Sequence, residues 1–175
     1  MNASTTTIRI AHLSDALAVQ DISAEAYVPA YQAIIGAAPK PAHEDYADRI
    51  KRGEVWILDL EDGPSGVVVL EPTTDYLLIY SIAVRPQHQG GGYGKLLLAF
   101  AEQQATAIGL PEVRLYTNRR MEQNLAFYRN FGYSETGTRP HPHRSGEIVA
   151  DMVKPVADKS SSEAPRILTI ACWGE

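Results

Sequence analysis

The run Val84-Arg-Pro-Gln-His-Gln-Gly-Gly-Gly-Tyr-Gly94 concentrates glycine where a strand-like segment gives way to a helix-like one. Glycines at 90, 91, 92 and 94 remove the β-carbons that would hold a large anion away from the backbone. The amides of residues 90 to 95 can then converge on phosphate oxygens, and the unpaired N–H groups and positive dipole end of a helix start suit a pyrophosphate. Lys95 adds a screened positive charge. The spacing excludes two other phosphate loops. A Walker-type loop requires glycine five positions before a Gly-Lys-[Ser/Thr] ending, but Gly94-Lys95 is followed by Leu96, and the earlier position is Gln89. A dinucleotide fingerprint requires a third glycine three positions after the second. Counted from Gly90 and Gly92 that position is Lys95, and from Gly92 and Gly94 it is Leu97.

Downstream, Asn124-Leu-Ala-Phe-Tyr-Arg-Asn-Phe-Gly-Tyr133 places Asn124 and Tyr128 four residues apart, hence on one face of a helix and able to point toward a single ligand. The remaining glycine pattern is Gln89-x-x-Gly92-x-Gly94, flanked by Val84, Pro86 and Leu96-Leu97-Leu98. Together with the Asn-x-x-x-Tyr-x-x-x-Gly-Tyr segment, it resembles the two hallmarks of the GNAT acetyltransferase superfamily, over roughly residues 8 to 154.

That resemblance implies a single α/β domain with a mixed sheet, splayed at the cofactor site, and helices on both faces. It also implies acetyl-CoA as co-substrate, without a metal. Gln89, Gly90, Gly91, Gly92, Tyr93, Gly94 and Lys95 would hold the pyrophosphate, and Ile82, Ala83 and Val84 the pantetheine arm by strand-like backbone hydrogen bonds. A backbone amide of that stretch would polarise the thioester carbonyl. Asn124 would contact the pantetheine or phosphate region, Asn118 would add a polar contact, and Tyr128 would protonate the leaving thiolate. The implied reaction is direct acetyl transfer to a primary amine of a small molecule or peptide in a ternary complex. A relative that binds CoA or acyl-CoA as a non-catalytic sensor is the alternative.

The amine must first lose a proton, and at pH 7 a lysine-like amine of pKa near 10.4 is neutral in less than about one molecule in a thousand. Many members of the family carry a carboxylate on the strand before the cofactor loop. Here that strand reads Leu77-Leu-Ile-Tyr-Ser-Ile82 and has none. Glu71 and Glu25 remain as candidate bases, or Tyr80 and Ser81 hold a water chain. His141, His143 and His88 do not match common zinc spacings, so the 141–144 segment is expected as a solvated loop near the substrate mouth. Tyr27, Tyr31 and Trp56 read as core or cleft wall.

The elements that must position these groups alternate between strand and helix. Thr7–Ala11 predicts a strand, followed by a helix capped by Ser14 that runs toward Tyr27 before Pro29, and a weaker helix lies around Pro41 to Ile50. Residues 54–60 and 66–70, joined by Asp62-Gly-Pro-Ser65, predict a hairpin. Tyr76–Val84 is almost wholly apolar, as in a central strand covered on both faces. Lys95–Ile108 predicts a helix, Glu112–Thr117 a strand, Met121–Phe131 a helix and Gly146–Lys154 a late strand.

Residues 1–154 are thus expected as the domain. Residues 155–175 form a linker through Lys159-Ser-Ser-Ser-Glu163 and an apolar run, Ile167–Trp173, that packs as an added strand or at a homodimer contact. A length of 175 residues, 45% hydrophobic and 21% charged, fits one globular domain. The charge of −5 argues against nucleic acid and is compatible with a cationic amine. The lone Cys172 allows no internal disulfide. The absence of a membrane-length apolar stretch or a secretion signal sets the expectation of a cytoplasmic protein with no membrane partner.

Overall fold

The computed structural model describes residues 6–156. In chain order they form β1 (Thr7–Ile10), α1 (Ala16–Ile34), α2 (Ala47–Lys51), β2 (Val55–Leu60), β3 (Gly63–Pro72), β4 (Leu77–Val84), α3 (Tyr93–Ala107), β5 (Glu112–Asn118), α4 (Glu122–Asn130), β6 (Ser134–Pro140) and β7 (Ile148–Pro155). All strands join one sheet in the order β1-β2-β3-β4-β5-β7-β6, antiparallel except for β4 and β5.

Alternation along the strands feeds two cores. Ile57, Val67 and Val69 face one way and bury against Val19 and Ile22 of α1 and Ile50 of α2. Leu58, Val68 and Leu70 face the other way, where Leu97, Leu98, Ala101 and Ala105 of α3 and Leu125 of α4 close the second core. A sheet buried on both faces requires apolar residues at both parities, which is why β3 and β4 read as continuous apolar runs.

Several boundaries differ from the sequence expectation for identifiable reasons. The first helix does not start on a Ser14 cap. A 3-10 turn over Leu13–Asp15 precedes it, and the Asp15 carboxylate accepts the His12 N–H at 2.8 Å while pairing with Arg9 at 2.8 Å. Nor does the helix stop before Pro29, which lies inside it. A proline within a helix costs about 3 kcal/mol or more, and here the flanking Tyr27 and Tyr31 are both engaged by the sheet side of the molecule. The hairpin turn is tighter than Asp62–Ser65, because Gly63 takes φ +105° and opens β3. A register shift between Leu58 and Asp59 absorbs the change.

β6 was not anticipated. It is a polar, largely exposed edge strand whose Ser-Glu-Thr-Gly-Thr-Arg-Pro sequence carries no apolar alternation, and only its pairing with β7 makes it a strand. The expected linker at residues 159–163 and the apolar run 167–173, with Cys172, lie outside the described residues. No helix among the described residues is long and apolar enough to cross a membrane.

Leu98 is fully buried where α3 packs on the sheet. Leu98→Ala should lower the unfolding free energy by about 2–5 kcal/mol, the range for a core cavity that cannot fully collapse. Urea unfolding of the two proteins checks this.

Candidate active site

β4 and β5 pair only at Leu77↔Val113 and Leu78↔Arg114. Beyond that point they diverge, and the gap between them becomes the floor of two adjoining cavities. One, of about 490 Å³, runs over the end of β4 to the glycine-rich turn. The other, of about 80 Å³, sits on the opposite side of the gap, between β4, β5 and the segment before α2.

The larger cavity gathers Ile82, Ala83, Val84, Gln89, Gly90, Gly92, Gly94, Lys95, Asn124 and Tyr128 from three separate segments. Gly90 and Gly92 adopt φ of +82° and +85°, the left-handed region open to glycine at little cost. Gly92 is the N-cap of α3, which starts two residues earlier than the sequence suggests. Its first internal bond runs from Leu96 N–H to Gly92 C=O at 3.1 Å, so the amides of Tyr93, Gly94 and Lys95 have no helical acceptor. Gly94 also lets two helices meet, since a β-carbon there would lie 3.1 Å from Phe127 Cζ of α4. The arrangement suits a diphosphate at the helix start and an extended arm along β4.

Gly91 and Tyr93 belong to the turn but do not line the cavity. Tyr93 is packed against Gly91, where a β-carbon would come within 2.8 Å of its ring, and meets His88 edge-on. Asn118 lines the smaller cavity instead, with its amide committed: it donates to Glu147 at 2.8 Å and its oxygen accepts the Arg120 N–H at 2.9 Å.

The strand end is not bare. Ile82 turns its backbone groups away from β3 into the gap, and the Tyr27 hydroxyl meets both, donating to Ile82 C=O at 2.6 Å and accepting its N–H at 3.0 Å. Alternation then directs the polar groups of Ala83 to β3, so this residue lines the groove without offering hydrogen bonds to it. The Gln89 side chain donates to Val84 C=O at 3.0 Å, tying the turn back to the strand. Gln89 is therefore a brace for the loop. An arm that pairs with Ile82 must take the place of the Tyr27 hydroxyl.

Tyr128 and Asn124 line both cavities, at their junction. Tyr128 is held between Phe127 and Tyr133 by edge-on ring contacts at 5.4 and 6.1 Å. Burial pushes its phenol well above the ordinary tyrosine range, so it is a neutral proton donor.

Neither expected carboxylate lines a cavity. Glu71 is bound by the Arg49 guanidinium and Glu25 by Arg85. In their place the smaller cavity is walled by tyrosines 27, 31, 80 and 116, with Ser81, Thr117 and Lys40. His141 and His143 also line it, and Arg144 ties their loop to the carbonyls of Ala37 and Ala38. Burial, then Arg144, pushes His141 below the usual histidine range. His88 instead contacts Asp62 at 2.9 Å. Among the described residues no group of three or more His, Cys, Asp or Glu is placed to hold a metal ion. Sequence reasoning did not find Glu44, which accepts the Tyr80 hydroxyl at 2.6 Å. It lies in an irregular segment between helices, and nothing in its neighbours' spacing marks it.

Residues 51–135 match the model of the acetyltransferase (GNAT) domain. Among solved structures, the chain is similar to the ribosomal-protein-S18-alanine N-acetyltransferase of Escherichia coli, with 19% identity, TM-score 0.69, and 94% of this chain and 99% of that one covered. It is also similar to the PaiA N-acetyltransferase of Thermoplasma acidophilum in complex with coenzyme A, with 17% identity, TM-score 0.69, and 86% and 99% covered. A third is the N-acetylglutamate synthase of Neisseria gonorrhoeae, complexed with coenzyme A and N-acetyl-glutamate, with 20% identity, TM-score 0.67, and 89% and 36% covered. No curated protein sequence matches.

A side chain at Gly92 would strain a left-handed backbone by about 1–2 kcal/mol and project into the cavity that Gly92 lines. Gly92→Val is expected to weaken coenzyme A binding at least about tenfold, or about 1.4 kcal/mol, in titration calorimetry. An unchanged affinity would remove the turn from the binding site.

Proposed function

We propose that this chain is an acyltransferase of the GNAT acetyltransferase family and transfers the acetyl group of acetyl-CoA directly to a primary amine of a small molecule or peptide, a reading supported by the match of residues 51–135 to the acetyltransferase (GNAT) domain. One observation carries the reading: Tyr128 stands at the junction of a long groove fit for coenzyme A and a small cavity fit for an amine. A donor in the first and an acceptor in the second meet beside its hydroxyl without a covalent enzyme intermediate.

Acetyl-CoA supplies an activated thioester. The chain's own residues do the rest. The free amides of the α3 start and Lys95 hold the diphosphate, with Gly90 and Gly92 letting the backbone approach. Ile82 offers its C=O to the arm and its N–H to the acyl end once Tyr27 releases them, and Asn124 supports the arm from α4. Held in place by the sheet, the N–H of Ile82 is a preorganised donor for charge developing on an acyl oxygen. Tyr128, neutral and buried, hands its proton to the departing thiolate.

The 80 Å³ cavity accepts an amine and the atoms next to it, not a bulky head. Lys40, His141 and His143 lie along its rim and no carboxylate lines it, which favours an acceptor whose positive charge is confined to the reacting amine. Glu71, committed to Arg49, is better read as part of the support of that cavity than as the base.

Thiol release from acetyl-CoA against a panel of amines, together with coenzyme A titration, tests the reading. Tyr128→Phe should cut kcat by about 10²- to 10⁴-fold, the usual weight of a positioned acid, and leave coenzyme A affinity within about twofold. Coenzyme A binding with no turnover on any amine would replace the enzyme by a coenzyme A sensor.

A further inference from the structure

We propose that Tyr80 and Glu44 form a two-residue relay that takes the proton from the acceptor amine, an inference that rests on the acetyl-transfer reading above. Tyr80 is the residue left over in the β3–β4 ladder: Val69 pairs with Ser81 and Leu70 with Ile79, so Tyr80 has no partner. Such a bulge re-aims a side chain, and here the ring lines the smaller cavity. Its hydroxyl donates to Glu44 Oε2 at 2.6 Å.

Arg49 fixes both members. Its Nε donates to the other oxygen of Glu44, Oε1, at 2.7 Å, and its guanidinium carbon lies 3.6 Å from the Tyr80 ring centroid. Each Glu44 oxygen therefore has one separate partner, and the phenol cannot turn away without losing its stack. Arg49 also contacts Glu54 and Glu71, and Arg52 contacts Glu54. Three carboxylates face two guanidiniums, so the cluster behind Tyr80 carries a net negative charge. It can receive a proton, and it draws an ammonium toward the cavity. Tyr46 on the Glu44 side and Lys40, Tyr27, Tyr31, Tyr116, Tyr128, His141 and His143 around the cavity are the other titratable neighbours. The Glu44 side chain keeps 14% of its surface exposed and can return the proton to solvent.

The transfer balances. The ammonium gives one proton to the Tyr80 oxygen as the Tyr80 hydroxyl proton passes to Glu44 Oε2. The products are a neutral amine, an unchanged phenol and a carboxylic acid. The amine lone pair then forms the N–C bond while the C–S bond breaks; Tyr128 gives its proton to the sulfur, and the second proton shed by the new amide nitrogen returns to the Tyr128 oxygen.

The discriminating measurement uses ethylamine, 2-fluoroethylamine and 2,2,2-trifluoroethylamine, which are similar in size and progressively less basic, in the thiol-release assay at several pH values. Tyr80→Phe keeps the ring and its stack on Arg49, and Glu44→Gln keeps the shape of the side chain. Both should lose about 100-fold in kcat/KM on ethylamine at pH 7, the lower end for general-base assistance, and under about threefold on trifluoroethylamine, which is already neutral before attack there. Raising the pH should restore ethylamine turnover in both, with coenzyme A affinity unchanged. Equal losses on all three amines would show a merely structural role and overturn the relay, as would full activity in both variants. A wild-type protein that binds coenzyme A and acetylates none of the three defeats the acetyl-transfer reading itself, and the relay with it.

Discussion

A β-sheet that stays paired along its whole length has no room inside it for a ligand. β4 and β5 hold together at Leu77 and Leu78 and then separate, which leaves the backbone groups of the β4 end without the neighbour a parallel ladder would supply. Buried N–H and C=O groups must find partners. The surroundings of the site are arranged around that debt: Tyr27 reaches from α1 to both polar groups of Ile82, and Gln89 reaches back from the turn to Val84. The same unmet hydrogen-bonding capacity makes the strand end a place where an extended, amide-bearing arm can dock.

Keeping the gap open falls to the two cores. α3 packs on one face through Leu97, Leu98, Ala101 and Ala105, which sets where its first turn, and so the anion cradle, sits relative to β4. On the other face, α1 carries Tyr27 and Tyr31 over the gap and passes through Pro29 without ending. α4 is pressed close to the start of α3 because Gly94 leaves space for Phe127, and that contact delivers Tyr128 to the junction of the cavities. Packing and chemistry share residues here, so their energetics are not separable.

Charge is placed with similar economy. No carboxylate lines the smaller cavity, yet Glu44, Glu54 and Glu71 gather behind Tyr80 around Arg49. Buried ion pairs add little net stability, because desolvation offsets most of their attraction. Their value lies in geometry: Arg49 orients both a phenol and a carboxylate. Tyr128, in contrast, is kept protonated chiefly by burial, with the neighbouring Tyr27, Tyr31 and Tyr133 acting in the same direction.

What the sequence by itself determined was local. The spacing of Gln89, Gly92 and Gly94 selected one kind of phosphate turn, since glycine at 92 permits a positive φ and glycine at 94 a close approach whatever the rest of the chain does. Asn124 and Tyr128 had to share a helix face, and the apolar run of β4 had to be central. Tertiary structure alone decided where the carboxylates went: Glu71 and Glu25 stood near the strand and helix ends in sequence, but each is held by an arginine, while Glu44, with no signal of its own, meets Tyr80 from 36 residues away. It also decided that Ala83 gives no hydrogen bond to the groove, that Asn118 is already satisfied, and that a polar segment becomes the edge strand β6. Backbone preference acts over a few residues and can be read from them. Side-chain pairing depends on which distant surface the fold brings within about 3 Å, and no local pattern carries that information.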